Sequence, residues 1–340
     1  MNNIFNYKLS DLKQFFLSQN EKEYKAIQVY EWLYKKRVFD FEKMTNIKKD
    51  LIKILKMNFL VNFITIEKKQ IDKDARKYLF KLEDDNYIEA VLMYHNYGVS
   101  VCVSSQVGCN MGCRFCESGR LKKVRNLETY EMVEQILLIE QDIKRRIDSV
   151  VIMGIGEPFD NYDNVMNFVK IINSDYGIAI GARHITISTC GIIPKIKMLM
   201  EEKLQINLAI SLHAPNNIIR DAIMPINKVY NLDNLINTLK EYIAKTNRRV
   251  TIEYVTLKGV NDSNECALEL ADLLKGMNVY VNLIPYNETN NLGFAKSSKN
   301  TIKTFYDILK KNKINVTIRR EFGSNIDAAC GQLRSKQVGK

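Results

Sequence analysis

Short apolar, strand-like runs alternate with helical stretches from residue 98 to residue 318, and this alternation constrains the fold more than any other feature. The runs are VSVCVSS, SVVIMG, HITIST, INLAIS, RVTIEYV and VYVNLI, followed by a last INVTIR. Helical stretches such as TYEMVEQILLIEQDIKRR, NLINTLKEYIAKT and KNTIKTFYDILKKN lie between them. Six β-α units with right-handed crossovers predict an α/β fold built on parallel strands, either an open doubly wound sheet or a barrel.

Polar or glycine residues follow five of these six strands, and their positions favour the barrel. A cysteine group follows the first strand. The second, third, fourth and sixth strands end in or are followed by GIGEP (154–158), Ser188-Thr189, SLH (211–213) and PYN (285–287). Barrel enzymes of the β/α type assemble their active sites at this end of the strands. A polar loop after any single strand is ordinary, but one shared mouth explains all five.

The first 95 residues have a different pattern. YKAIQVYEWLYKKRVFDFEKM spaces Ala26, Ile27, Val29, Tyr30, Leu33 and Tyr34 along one face of a helix. KYLFKLEDDNYIEAVLM contains two strand-like runs around the turn signal Asp84-Asp85-Asn86, which predicts a β-hairpin. We therefore predict a small α+β accessory domain over 1–95, a barrel core over 96–318 and a C-terminal segment over 319–340.

Three of the seven cysteines, Cys109, Cys113 and Cys116, lie within eight positions, spaced C-x3-C-x2-C. The chain has no apolar run long enough to cross a bilayer and no secretory signal at its start, so we expect a cytoplasmic protein that does not interact with membranes. In a reducing compartment, clustered cysteines indicate metal binding or catalysis.

The type of metal site follows from the ligands at hand. Zinc prefers four ligands, and none of the three histidines, His95, His184 and His213, is near the cysteine group in sequence. Three thiolates on one loop suit a [4Fe–4S] cluster, in which they hold three irons and leave the fourth open to a substrate or cofactor. A zinc site that takes its fourth ligand from elsewhere remains the alternative.

Two further features limit the kinds of molecule that we expect the protein to bind. Fifty Lys and Arg against 39 Asp and Glu give a net charge of +11, which suits either a solvated basic surface or a polyanionic partner such as nucleic acid. The glycine pair of GIGEP is not a dinucleotide fingerprint, because the third glycine of G-x-G-x-x-G would fall on Phe159. The motif G-x-x-x-x-G-K-[ST] is absent from the sequence as well.

Several motifs together resemble one family. The cysteine group after strand one, GIGEP after strand two and the six β-α units resemble the radical S-adenosylmethionine (SAM) superfamily and its partial (β/α)6 barrel. Within it, VCVSSQVGCNMGCRFC, VVIMGIGEPFDNYDNV, ITISTCGIIPKI, SLHAP, VTIEYVTLKGVND and IDAACGQL resemble the RlmN/Cfr family of adenine-methylating ribosomal RNA methyltransferases. The resemblance extends over nearly the whole chain.

The resemblance implies a mechanism with two remote cysteines. Cys330, in DAACGQL, matches the residue that receives a methyl group from one SAM; a second SAM, cleaved at the cluster, then yields the radical that activates this group for addition to adenine. Cys102 matches the cysteine that attacks the sulfur of Cys330 and releases the product with a transient disulfide. Glu89 matches the base that removes the ring proton. Without the resemblance, Glu89 would be interpreted as a solvated hairpin residue.

The resemblance also implies cofactor contacts and partners. The [4Fe–4S] cluster would be held by Cys109, Cys113 and Cys116, and the residues that match SAM contacts are Gly156, Glu157, Ser188, Ser211, Leu212, His213 and Asn287. Glu157 and Asn287 have groups that can bond the amino acid and ribose parts of SAM, whereas His213 alone would suit a structural role. The implied partners are 23S rRNA, which we expect the accessory domain over 1–95 to bind, with tRNA open as a second substrate, and a one-electron reductant such as flavodoxin or ferredoxin. We expect a monomer.

Three other functions remain as alternatives. The first is methylation of C8 of adenine in place of C2. Relatives that methylate C8 and confer antibiotic resistance tend to have cysteine in place of Val107 and alanine in place of Pro158, so these two residues favour C2. Phe322 slightly favours C8. A radical SAM enzyme with a non-RNA substrate would not need both Cys102 and Cys330. A non-catalytic RNA-binding module would have no use for three clustered cysteines.

Overall fold

A computed structural model describes residues 1–61, 64–120, 122–288 and 292–320, together with Phe322 and Ile326. The N-terminal part contains α-helices α1 Leu9–Ser18, α2 Tyr24–Tyr30 and α3 Lys49–Asn58, and strands β1 Asn2–Asn3, β2 Phe59–Leu60, β3 Thr65–Ile71, β4 Ala75–Lys81 and β5 Tyr87–His95. Strands β4 and β5 pair antiparallel, and Asp85 in the turn between them has a positive φ of 61°. The predicted β-hairpin is confirmed.

Helix α2 departs from the expected regular helix. It continues directly into a π-helix at Glu31–Lys35, where the N–H of Lys36 donates to the carbonyl of Glu31 at 2.9 Å. Leu33 and Tyr34 are nevertheless buried, as their spacing predicted. The spacing of apolar residues predicts which face of a helix is buried, but it does not distinguish a short π-helix from an α-helix.

The rest of the chain alternates strands and helices. The strands are β6 Gly98–Cys102, β7 Gln106–Val107, β8 Arg125–Asn126, β9 Ser149–Ile152, β10 Ile185–Thr189, β11 Asn207–Ser211, β12 Val250–Thr256, β13 Val279–Pro285 and β14 Val316–Ile318. The helices are α4 Glu117–Arg120, α5 Thr129–Ile143, α6 Tyr162–Asn173, α7 Ile193–Met200, α8 Asn217–Ile223, α9 Leu232–Thr246, α10 Asn264–Leu273 and α11 Lys299–Lys311.

One ten-stranded sheet organises the molecule, in the order β14-β13-β12-β11-β10-β9-β6-β5-β4-β3. The strands from β6 through β9 to β14 are parallel, which confirms the predicted β-α units, and β3 to β6 are antiparallel. Within the described ranges the edge strands β14 and β3 are not paired with each other. The parallel part is therefore open on one side.

The sheet continues across the predicted boundary at residue 95. Strand β5 pairs with β6 in a register that places Val91 opposite Cys102 and His95 opposite Gly98. The hairpin is therefore hydrogen-bonded to the first parallel strand, and the three-part division of the chain stays a prediction.

Side chains of the parallel strands alternate between two faces with opposite character. Neighbouring positions on one face are fully buried and apolar, such as Ile210, Ile252 and Val281. The next positions along the same strands are Ser211, Glu253 and Asn282, which also lie side by side. The sheet thus has an apolar face and a face with polar groups, which we call the inner face.

Polar caps begin three of the crossover helices. The side chains of Asn231, Ser263 and Ser298 accept hydrogen bonds from backbone N–H groups in the first turns of α9, α10 and α11. Such caps satisfy donors that have no partner within the helix. In the part of the chain that the structure describes, no helix is both long and apolar enough to span a membrane.

Candidate active site

The three clustered cysteines lie on one loop, between β7 and α4. The N–H of Cys116 donates to the carbonyl of Cys113 at 3.1 Å, and the N–H of Arg114 donates to the carbonyl of Ile223 at 2.9 Å. The loop is folded on itself and attached to the end of α8.

Burial is the main influence on the pKa of two of these thiols. It raises the pKa of Cys109 to about 12 and that of Cys113 well above its ordinary value, and negative charge on Cys116 raises both. A bound iron would act in the opposite direction, because a metal ion stabilises the thiolate.

The donors fit a cuboidal iron–sulfur cluster. All three are thiols, and they are close enough for their charges to interact. Among the described residues, no three His, Cys, Asp or Glu side chains converge as ligands of one metal ion. A cube does not require that convergence, because each thiolate binds a different iron. Cys109, Cys113 and Cys116 stay the predicted ligands.

The GIGEP loop lies beside the loop after β10. Gly156 has a φ of 112°, and a Cβ there would lie 2.6 Å from the Cβ of Gln106, so this backbone requires glycine. The Glu157 carboxylate accepts hydrogen bonds from Phe159 N at 3.0 Å and Cys190 N at 2.8 Å. Burial raises the pKa of Glu157, and these bonds oppose the increase. Glu157 thus joins two strand-end loops.

The structure brings Ser188 and Ser211 together at the ends of β10 and β11, with their Oγ atoms 3.5 Å apart. Leu212 is fully buried, and its N–H donates to the carbonyl of Glu253 at 3.1 Å. Asn287 follows β13 and is exposed. The predicted SAM contacts therefore include buried groups and one surface group at the carboxyl ends of the strands.

His213 connects the strand ends to the cysteine loop. Its backbone has a positive φ of 58°, and its Nδ1 accepts a hydrogen bond from Val255 N at 3.0 Å. Its ring meets Phe115 edge-on, with centroids 4.9 Å apart. Burial, aided by the charge of Arg220, lowers the pKa of His213 to about 3. The imidazole is neutral near pH 7 and supports the fold around the loop.

We expect His213 to make stability depend on pH. The unfolded chain binds a proton at this residue below its ordinary pKa of about 6.5, whereas the folded protein does not until about pH 3. The contribution to stability is therefore present above pH 6.5 and is lost as the pH falls toward 3. Urea unfolding across this range should show a smaller loss in His213→Asn than in the native chain, with exposed His184→Asn as the control. Parallel losses in all three proteins would contradict this expectation.

Sequence reasoning missed Arg220, which is fully buried. Its guanidinium donates to the carbonyl of Cys190 at 2.7 Å, to Asn227 Oδ1 at 2.9 Å and to the carbonyl of Leu212 at 3.2 Å. The side chain thereby holds the loops after β10 and β11 in place. Nothing in the local sequence NIIRDAI distinguishes this arginine from a surface residue.

Arg220→Ala should destabilise the protein strongly. Removing the guanidinium leaves buried carbonyls without donors and creates a cavity, so we expect a loss of about 3–5 kcal/mol in the free energy of unfolding. Arg145→Ala is the matched control, because Arg145 is about half exposed and pairs with Asp148 at 3.7 Å; its loss should be below about 1 kcal/mol. Equal unfolding midpoints in urea for the two variants would contradict this account.

Glu253 is a second buried group that sequence reasoning did not single out. It is 3% exposed, and its Oε1 accepts a hydrogen bond from Asn282 Nδ2 at 3.0 Å, while its Oε2 has no hydrogen-bond partner among the described residues. Burial raises its pKa. A carboxyl in the middle of the strand RVTIEYV is a signal that could have identified it.

Glu89 and Cys102 lie on the inner face of neighbouring strands. Glu89 is only 3% exposed and pairs with Lys77 at 2.9 Å, so the interpretation as a solvated hairpin residue is wrong. Cys102 is buried with Val91 and Met93. The antiparallel pairing of β5 and β6 brings the two predicted catalytic groups to the same part of the sheet.

The chain after β14 crosses to this region. The N–H of Arg319 donates to the carbonyl of Leu283 at 2.8 Å, and Arg320 pairs with Asp74, just before β4, at 2.9 Å. Phe322 packs against the apolar group that contains Cys102. Cys330, the predicted methyl carrier, lies outside the described residues.

Comparisons with known proteins agree with this architecture. Residues 103–274 match the Radical SAM superfamily, and residues 2–61 match the ribosomal RNA large subunit methyltransferase N-terminal domain. A probable dual-specificity RNA methyltransferase RlmN from Listeria monocytogenes is 52% identical, covering 98% of this chain and 94% of that protein. The chain belongs to the RlmN family of radical SAM RNA methyltransferases.

Other RlmN relatives and a solved structure extend this result. The probable RlmN of Spiroplasma citri is 51% identical over 100% of this chain and 99% of that protein. The crystal structure of a radical SAM methyltransferase from Sphaerobacter thermophilus has a TM-score of 0.92 and 38% identity, covering 98% of this chain and 99% of that chain. The predicted radical SAM fold with an N-terminal accessory part is confirmed. As an RlmN-type enzyme, the protein uses a [4Fe–4S] cluster and SAM.

Proposed function

We propose that this enzyme methylates C2 of an adenosine in 23S rRNA, in the cytoplasm, by way of a methylated Cys330. The observation that carries the proposal is the position of Glu89 and Cys102, both buried on one face of adjacent strands, next to the chain segment that leads to Cys330. A base and a thiol are the two groups that release of such an intermediate requires.

The length of chain after Phe322 is sufficient for Cys330 to reach Cys102. Cys330 follows Phe322 by eight residues, and Phe322 contacts the apolar group around Cys102. Eight residues of extended chain span at most about 29 Å, and a loop can return over any shorter distance. The packing of Phe322 supports a disulfide between two cysteines that are far apart in sequence.

The cofactors and the side chains have separate roles in the proposed reaction. When bound, the cluster and SAM supply the methyl group, the radical chemistry that activates it and the acceptor for the electron that later leaves the ring. Glu89 takes the proton from the ring carbon, and the C–H electron pair returns to the ring. The Cys102 thiolate then attacks the sulfur of Cys330; the S–S bond forms, the S–C bond breaks and the carbon takes up a proton to become a methyl group.

The residues around the cofactors have supporting roles in this proposal. Cys109, Cys113 and Cys116 hold the cluster, and Gly156, Glu157, Ser188, Ser211, Leu212, His213 and Asn287 surround SAM. Ser188 and Ser211 offer adjacent hydroxyl groups for hydrogen bonds. His213 acts by supporting the cysteine loop through Phe115 rather than by accepting a proton, because burial lowers the pKa of its imidazole to about 3 and its Nδ1 is bonded to the backbone.

The partners follow from the family and from charge. The net charge of +11 suits RNA as the substrate. The curated relatives are called dual-specificity enzymes, and this supports tRNA as the second substrate. We propose that a one-electron donor of the flavodoxin or ferredoxin type supplies the reducing equivalent and that the enzyme acts as a monomer.

Mass analysis of 23S rRNA from a deletion strain tests the target carbon. We expect the strain to lack one methylated adenosine, and we expect the native gene to restore a nucleoside that co-elutes with 2-methyladenosine. A nucleoside that co-elutes with 8-methyladenosine would replace the proposal with the C8 alternative, which Phe322 slightly favoured. Unchanged rRNA would indicate a different RNA substrate.

A further inference from the structure

A buried ion pair lies on the inner face beside Cys102. The Nζ of Lys77 on β4 is 2.9 Å from the Oε2 of Glu89 on β5, and the two side chains are 0% and 3% exposed. Two full charges inside a protein require strong mutual compensation, because both have lost their hydration. A pair so thoroughly removed from water therefore needs an explanation.

The register of three strands places this pair next to the proposed chemistry. Lys77 lies opposite Val91, and Val91 lies opposite Cys102, so the three residues form one row across β4, β5 and β6. Glu89 precedes Val91 by two residues, so its side chain lies on the same face of the sheet as that of Val91. Glu89 is therefore a diagonal neighbour of Lys77 on the adjacent strand. The ammonium, the carboxylate and the thiol thus share one small area of the inner face.

The surroundings make the ammonium important for the carboxylate. Leu79, Val91 and Met93 are apolar and buried, and the Lys77 ammonium is a cation in direct contact with the Glu89 carboxylate in this part of the sheet. The Glu89 backbone is held as well, since its carbonyl accepts a hydrogen bond from Ser104 Oγ at 2.6 Å. A cation in contact with a buried carboxylate holds it in one orientation through a charge-assisted hydrogen bond.

We propose that Lys77 is a positioning residue that holds the Glu89 carboxylate by a direct ion pair and directs it toward the RNA adenine beside Cys102. The proposal rests on the proposed role of Glu89 as the base. Lys77 does not touch the reacting atoms; it fixes the carboxylate orientation through a charge-assisted hydrogen bond. When Glu89 accepts the ring proton, the C–H bond breaks, an O–H bond forms and the electron pair stays with the ring.

The experiment measures whether the methylated RNA is released or stays covalently attached to Cys330. Native enzyme, Lys77→Met, Lys77→Arg and Glu89→Gln react in a single turnover with an unmethylated 23S rRNA fragment, and mass spectrometry quantifies released methylated RNA and RNA covalently held at Cys330. In Lys77→Met, the ratio of held to released RNA should rise by about a hundredfold, the low end of the contribution of a positioned base. Lys77→Arg keeps the positive charge and should restore most of the release.

Lys81→Met is the matched control. Lys81 lies on the same strand but is partly exposed and pairs with exposed Asp85 at 2.8 Å, so its loss should leave the ratio of held to released RNA unchanged. Lys77→Gln is the second neutral variant, because its amide keeps a hydrogen-bond donor against the buried carboxylate, whereas methionine has none. It should also retain the RNA.

The outcomes separate the two proposals. Normal release by a folded Lys77→Met or Lys77→Gln protein, with release blocked in Glu89→Gln, would overturn the role of Lys77 alone. Normal release by Glu89→Gln would overturn Glu89 as the base and Lys77 with it. A defect that Lys77→Arg shares in full would show that a positive charge at this position does not support release, and would also overturn the proposal.

Discussion

The Cys102→Ala protein should remain covalently attached to its RNA through Cys330. In the proposed mechanism, the variant keeps the methyl carrier, the cluster ligands and Glu89, so the carbon on Cys330 can still add to adenine. It lacks the thiolate that is proposed to attack the sulfur of Cys330, and this mechanism gives the S–C bond no other route to cleavage. We expect turnover to stop after the first addition.

Nuclease digestion followed by mass spectrometry of the Cys330 peptide measures this result. We expect a nucleotide-sized adduct in Cys102→Ala, and neither an adduct nor RNA methylation in Cys330→Ala. Cys266→Ala is the control, because this thiol is buried on α10 with the apolar core and should leave turnover near the native value. An unmodified peptide together with normal methylation in Cys102→Ala would return Cys102 to the role of a buried strand residue.

Replacing Cys113 with alanine should abolish the iron–sulfur cluster. Two thiolates on this loop do not hold a cube that has one iron open to SAM, so anaerobically purified protein should lose its brown colour and nearly all of its iron. SAM cleavage should fall to background for the same reason. The measurement is iron and sulfide content together with visible absorbance.

Cys266→Ala again serves as the control, and circular dichroism separates cluster loss from unfolding. We expect the control to keep full iron content and Cys113→Ala to keep its secondary structure, because the β-α core is formed by other residues. Full cluster occupancy in Cys113→Ala would overturn the ligand assignment. Colourless native protein that retains zinc would favour the zinc alternative.

Local patterns determined much of this protein. The seven parallel strands and the crossover helices were predicted from apolar runs and helical spacing, because both periodicities arise within a few residues of chain. The position of the cysteine group after the first strand was also predicted from a short stretch of sequence. The motifs that resemble the RlmN/Cfr family are short segments as well, so the family was identifiable before any contact was known.

Tertiary structure decided which polar groups are buried and what they contact. Lys77 is an ordinary lysine in the run ARKYLFK, and only the register of β4 against β5 places it next to Glu89. Arg220 donates to carbonyls of two other loops. After the edge strand β14, Arg320 pairs with Asp74 before β4, and Phe322 packs against the apolar group that contains Cys102. These contacts depend on strand order and on how the sheet curves, which no local pattern records. The sequence alone therefore determined the elements and the candidate chemistry, whereas long-range packing determined the buried ion pair and the contacts of the buried arginine.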